Sequence, residues 1–225
     1  MLTSHALAKR YGYSGLLVTL FALMFVGPLF ADGEWEALVF GVLVICTAGA
    51  AIYATGGSSR KQVTLGVLAL VYVVSHIMTI QAGGEVWQTI YYWIGVAFFT
   101  SVTLALLRRI LRAQSHVTGE LIAGSVAVYL LLAIVFAYLF GLVDLLEPGS
   151  FAFADRAGFP DPDFYYFSLV TLTTLGYGDI TPVSPMARGL AALEAVIGPV
   201  YLTVLVARLV GMHISVGSDT PGDQQ

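Results

Sequence analysis

Six apolar runs separated by short polar breaks dominate this chain. They cover residues 13–30, 36–54, 63–81, 86–107, 121–143 and 188–210, each near the roughly 20 residues that a helix needs to cross a bilayer. The breaks are "ADGEW", "TGGSSRKQ", "AGGE" and "RRILRAQSHVTGE". The last two runs are joined instead by the long stretch 144–187. Within it, "LLEPGSFAFADRAGFPDP" (145–162) is rich in glycine, proline and acids and predicts an external loop. The next residues, "DFYYFSLVTLTT" (163–174), predict a helix about 16 Å long. That is about half a hydrocarbon core, so the segment should be re-entrant or buried.

Charge adds an orientation. Lys9, Arg10, Arg60, Lys61, Arg108, Arg109, Arg112 and Arg208 fall on one side of the six runs, and Asp32, Glu34, Glu85 and the acidic connection on the other. The basic side should be cytoplasmic, with both termini there. Composition agrees with a membrane setting: 58% of residues are hydrophobic and 11% charged, against about a quarter charged in soluble domains. The surroundings are therefore membrane lipids. A net charge of -4 without basic clusters excludes a nucleic-acid partner from the reading. The single cysteine, Cys46, excludes an intramolecular disulfide and is expected as a small buried hydrophobe. The first run ends in "GPLFADGEWE" rather than a small-residue cleavage site, and is expected to be a retained helix.

The candidate chemistry lies in "TLTTLGYGDITP" (171–182). Non-helical backbone at membrane depth is tolerated only where protein buries it or a hydrated cavity satisfies it. Gly176 and Gly178 permit backbone angles closed to other residues, so successive carbonyls can aim at one axis. Oxygens stacked in this way replace the water around a cation. Leu175 and Tyr177 would then point away from the axis and pack to hold its radius.

"TTLGYGD" (173–179) resembles the signature of the potassium channel family, and the order of helix, external loop, pore helix, filter and inner helix is similar to that family's pore domain. The resemblance covers residues 121–211. It implies that potassium ions, the cargo rather than a cofactor, are coordinated by the backbone carbonyls of Thr174, Leu175, Gly176 and Tyr177, with the Thr174 hydroxyl forming the innermost site. Gly178 completes the filter, and Thr173, Asp179, Tyr166, Phe167 and Val170 support it. One chain supplies one filter loop where four are needed, so the resemblance implies a homotetramer. Leu175 replaces the family's usual valine. Tyr166 and Phe167 replace two tryptophans, keeping aromatic bulk but losing the indole donors, which should soften the cuff around the filter. Val170 stands where some bacterial members carry a glutamate. Asp179 is expected at the outer mouth, anchoring the filter from behind and adding negative potential.

Other features leave alternatives open. Gly198 and Pro199 interrupt the last run, as a hinge similar to the family's or as a fixed kink. Glu194, the acid well inside a run, is expected to touch a pore helix rather than ions. His76 is a packed residue or a pH sensor. Asp144, Glu147, Asp155, Asp161 and Asp163 outnumber Arg156 and Arg188 outside and would attract cations if repeated by symmetry. Tyr91, Tyr92 and Trp93 predict an interfacial belt.

Six runs with the pore in the last two resemble voltage-gated channels, yet the fourth run carries no basic residue at depth, so no strong voltage sensing is expected. A membrane enzyme would need a nucleophile or carboxylate constellation, and His76 and Glu194 have no motif around them. A secondary transporter would show paired broken helices in two halves, and only one interruption is obvious. A non-conducting subunit with the same fold is a third reading. The sequence therefore predicts an all-α membrane protein of six transmembrane helices plus a re-entrant pore helix and selectivity-filter loop, in a tetrameric potassium channel pore architecture with no cofactor. Residues 1–112 are expected as a four-helix unit similar to a voltage-sensor domain without its charges, 113–211 as the pore domain, and 212–225 as a short cytoplasmic tail. A bacterial inner membrane is the expected location.

Overall fold

The computed structural model describes residues 4–26, 36–55, 59–113, 117–154 and 164–217. In chain order these form α1 (Ser4–Phe21), which continues as a π-helical turn (Ala22–Val26), α2 (Glu36–Thr55), α3 (Ser59–Ala82), α4 (Glu85–Arg112) and α5 (Gly119–Leu146). A short strand β1 (Phe151–Phe153), α6 (Phe164–Leu172), β2 (Ile180–Pro182) and the long α7 (Pro185–Gly217) follow.

Among the described residues, four helical stretches are long and apolar enough to cross a membrane: Arg60–Ala82, Glu85–Arg112, Gly119–Leu146 and Pro185–Met212. The expectation of a six-span channel is corrected to four. The first two apolar runs yield the shorter apolar helices Gly12–Val26 and Gly41–Thr55, of the 10–17-residue class. What a single chain presents, in place of the expected six-span tetrameric architecture, is an all-α, multi-span membrane bundle with four candidate spans.

One apolar core joins the first four helices to α5, running through Leu16, Val44, Tyr72, Phe98, Leu121 and Tyr138. Two glycines let α4 and α5 approach: a Cβ on Gly95 would lie 2.3 Å from the Tyr138 ring, and one on Gly141 2.4 Å from the Tyr92 ring. Within this core the hydroxyls of Tyr72, Tyr91 and Tyr138 meet. Tyr91 lies 3.2 Å from Tyr72 and 2.8 Å from Tyr138, and Tyr72 also bonds Tyr138. Three hydroxyls with three mutual contacts satisfy one another without water. Tyr91 and Tyr92 therefore turn inward instead of forming the expected belt, while Trp93 is exposed. The His76 ring packs 5.4 Å from that of Tyr91.

Where the basic residues gather, the helix ends are tied together. Arg109 donates to the Ala54 carbonyl at 2.8 Å, and its guanidinium lies over the Tyr13 ring. Arg208 of α7 donates to the carbonyls of Ile110 and Ala113 at 3.1 and 2.7 Å, bridging to the end of α4. Glu120 accepts from the Tyr13 and Ser14 amides at 2.9 and 3.4 Å and from the Ser14 hydroxyl. Cys46 is exposed, contrary to expectation, because α2 buries Val44, Thr47 and Ala48 on another face.

Candidate functional site

The apolar run "FYYFSLVTL" forms α6, nine residues long, and buries Phe164, Phe167, Ser168, Val170 and Leu172. Phe167 sits edge-on against Phe140 of α5 and Phe151 of β1, with ring centroids 4.9 and 5.5 Å apart. This aromatic cluster anchors the helix from behind.

A helix end leaves carbonyls without intrahelical partners, and here the last four are all engaged. Leu169 accepts from the Thr173 amide, and Thr171 from the Thr174 amide. Val170 accepts from the amides of Leu175 at 2.9 Å and Gly176 at 3.3 Å, and Leu172 from the Tyr129 hydroxyl of α5 at 3.0 Å. The sequence pattern extended this helix to residue 174. It stops earlier because Thr174 adopts φ 58°, in the left-handed region.

Left-handed backbone then recurs at every second residue, with φ 60° at Gly176 and 79° at Gly178. A left-handed φ at every second residue departs from the strand pattern, in which all φ are negative and successive peptide units alternate in direction. Glycine takes this conformation freely; at Thr174 it costs on the order of 1–3 kcal/mol. Residues 173–179 are exposed in the single chain, Leu175 to 56% and Tyr177 to 66%.

Beyond the loop, β1 and β2 pair antiparallel with Phe151 opposite Pro182 and Phe153 opposite Ile180. The Ala154 amide donates to the Asp179 carbonyl at 2.8 Å, fixing the loop's outer end. The Tyr166 hydroxyl donates to Asp179 Oδ2 at 2.6 Å, and its ring stacks on Tyr177. The Tyr166 hydrogen bond, aided by the Ile180 amide and opposed by desolvation, holds the Asp179 carboxyl below its ordinary value.

Behind α6, Ser168 contacts both the Ala133 carbonyl of α5, at 2.7 Å, and Glu194 of α7. Gly198 abuts the helix end: a Cβ there would lie 2.0 Å from the Leu172 carbonyl oxygen. α7 continues through Pro199, whose missing amide leaves the Ala195 carbonyl without its usual partner. Gly198 thus serves close backbone approach. Tyr201 donates to the Ser125 carbonyl at 2.8 Å and stacks on Tyr129.

The fold therefore brings Val170, Thr173–Asp179, Tyr166, Phe167, Glu194 and Gly198 around one short helix and its loop. Asp144 and Glu147 end α5, whereas Asp155, Arg156, Asp161 and Asp163 lie outside the described residues. Sequence reasoning missed Tyr129 and Ser168, and gave Arg208 only a side of the membrane; their partners lie 26 to 98 positions away. Among the described residues no group of three or more His, Cys, Asp or Glu is placed to hold a metal ion.

Residues 125–214 match a family model described as ion channel, which is a class of transporters and not of catalysts. A two pore potassium channel c of Oryza sativa subsp. japonica is 38% identical over 63 residues, 28% of this chain and 14% of that protein. The inward rectifier potassium channel Kirbac3.1 of Paramagnetospirillum magnetotacticum is 35% identical over 63 residues, covering 28% and 18%. The potassium voltage-gated channel protein shk-1 of Caenorhabditis elegans is 41% identical over 49 residues, covering 22% and 9%. The chain thus spans less than a fifth of each curated relative. No solved structure matches it significantly. This multi-span membrane protein carries, from α5 through α7, a segment similar to those of ion channels, and over short stretches the chain is similar to the three potassium channels named above.

Proposed function

We propose that the protein conducts potassium ions passively and selectively, through carbonyl rings supplied by residues 174–177 of four copies. The observation that carries this reading is the alternate left-handed backbone at Thr174, Gly176 and Gly178 in an exposed loop at the end of a buried short helix. Aligned carbonyls substitute for an ion's hydration shell, and one loop per chain requires four chains to close a ring. Apolar residues left open on α7, among them Val196 at 61% and Val200 at 54% exposure, support burial against neighbouring copies or lipid.

On this reading, residues 113–211 form the pore unit and 1–112 surround it. The basic end marked by Arg60, Arg109 and Arg208 faces the cytoplasm, with both termini there, and the filter loop faces outward in a bacterial inner membrane. The basic residues of α4 are Arg108, Arg109 and Arg112, all at its end, so current should depend only weakly on voltage.

The test is the reversal potential of the purified protein in planar bilayers under opposing potassium and sodium gradients. A reversal near the potassium equilibrium value is expected. Robust current reversing near zero would defeat the selective-filter reading.

A further inference from the structure

Behind α6, one hydroxyl proton faces two acceptors. The Ser168 hydroxyl lies 2.7 Å from the Ala133 carbonyl oxygen and in short contact with Glu194 Oε1, and both side chains are fully buried. A carbonyl only accepts, an ionised carboxylate only accepts, and a serine hydroxyl owns one proton. With Glu194 ionised, two acceptors would compete for that proton. The second carboxyl oxygen, Oε2, is buried and has no partner among the described residues.

Among the described residues no cation compensates a charge at this position. The other titratable group interacting with Glu194 is Tyr129 of α5, whose hydroxyl is committed to the Leu172 carbonyl. From α6 the group facing it is Ser168, and no Lys, Arg or His pairs with it among the described residues. An uncompensated buried carboxylate is far costlier than a neutral acid in the same place. A neutral acid also resolves the count: its O–H donates to Ser168 Oγ, and Ser168 donates onward to Ala133.

We propose that Glu194 is a protonated carboxylic acid, the first donor in a relay from α7 through Ser168 to α5, and that this relay positions α6 beneath the filter loop. Glu194 is a positioning residue, acting through Ser168. The functional part rests on the channel reading above; the protonation does not. Alkaline pH that removes the proton breaks the relay.

Infrared difference spectroscopy of the full chain in lipid, wild type minus E194Q, tests the proton directly. A protonated-carboxyl C=O band at neutral pH is expected, shifted in S168A, where the acid loses its acceptor. Carboxylate bands in its place would overturn the proposal whether or not the protein conducts. In bilayers, E194Q retains a donor and should keep the potassium-to-sodium permeability ratio, whereas E194A should lower it about tenfold, the scale of one buried hydrogen bond. Equal ratios in E194A and wild type, or equal losses in both variants, would overturn the positioning role.

Discussion

The α1–α5 core and the α6–loop–α7 unit are built on opposite principles. In the first, Tyr72, Tyr91 and Tyr138 satisfy each other's hydroxyls, and Gly95 and Gly141 receive tyrosine rings, all within one chain. In the second, the loop's Leu175 and Tyr177 lie open, and α7 buries little of itself. The core is complete alone. The loop unit is held to it by aromatic packing of Phe167 on Phe140 and by backbone acceptors at Ala133, Leu172 and Ser125, and is left open on its other side. A part that is finished within one chain can support a part whose partners come from elsewhere.

The sharpest way to break this contrast is at Gly198. A Cβ placed 2.0 Å from the Leu172 carbonyl oxygen must displace backbone, so Gly198→Ala should cost about 3 kcal/mol or more. Thermal melts of the protein in detergent, together with its oligomer size by light scattering, should show lost stability and lost assembly. Normal melting would mean that the close approach is not maintained in the membrane.

In the core, Tyr138→Phe removes the hydroxyl that meets both Tyr72 and Tyr91 and should cost about 2 kcal/mol. Melting should fall while ion selectivity stays unchanged; a change in selectivity would erase the distinction between the two regions. Tyr129→Phe removes the cap on Leu172 and should cost about 1 kcal/mol. Here the reverse pattern is expected, with selectivity affected more than melting.

The smallest effect belongs to Asp179. Its carboxyl titrates below the ordinary 3.8 mainly because Tyr166 donates to it. A depressed carboxylate stabilises the fold above its unfolded value, and that contribution disappears as pH falls through the lower folded value. Tyr166→Phe should raise the Asp179 titration toward 3.8, seen by NMR of the labelled carboxyl, with little change in stability at neutral pH. An unmoved titration would show that the phenol is not its partner.

How much of this was legible in the sequence follows from range. Gly176 and Gly178 announced left-handed backbone because glycine's permissiveness is a local property. Thr174 did not, since a β-branched residue rarely adopts that conformation and only its position between α6 and the loop compels it. Glu194 was conspicuous as an acid in an apolar run, whereas Ser168 was one small polar residue among many until α6 and α7 were packed together. The apolar runs were visible, but among the described residues only four of the helical stretches they form qualify as membrane spans by length and hydropathy.

The contact between Gly198 and Leu172 also limits how errors in this protein could be repaired. A clash with a side chain can be relieved by shrinking that side chain, but the atom facing Gly198 is a backbone oxygen, present whatever residue occupies position 172. No substitution at 172 can therefore act as a local suppressor of Gly198→Ala. Revertants selected for restored function would have to return glycine to 198 or shift α7 bodily, through changes spread along the helix.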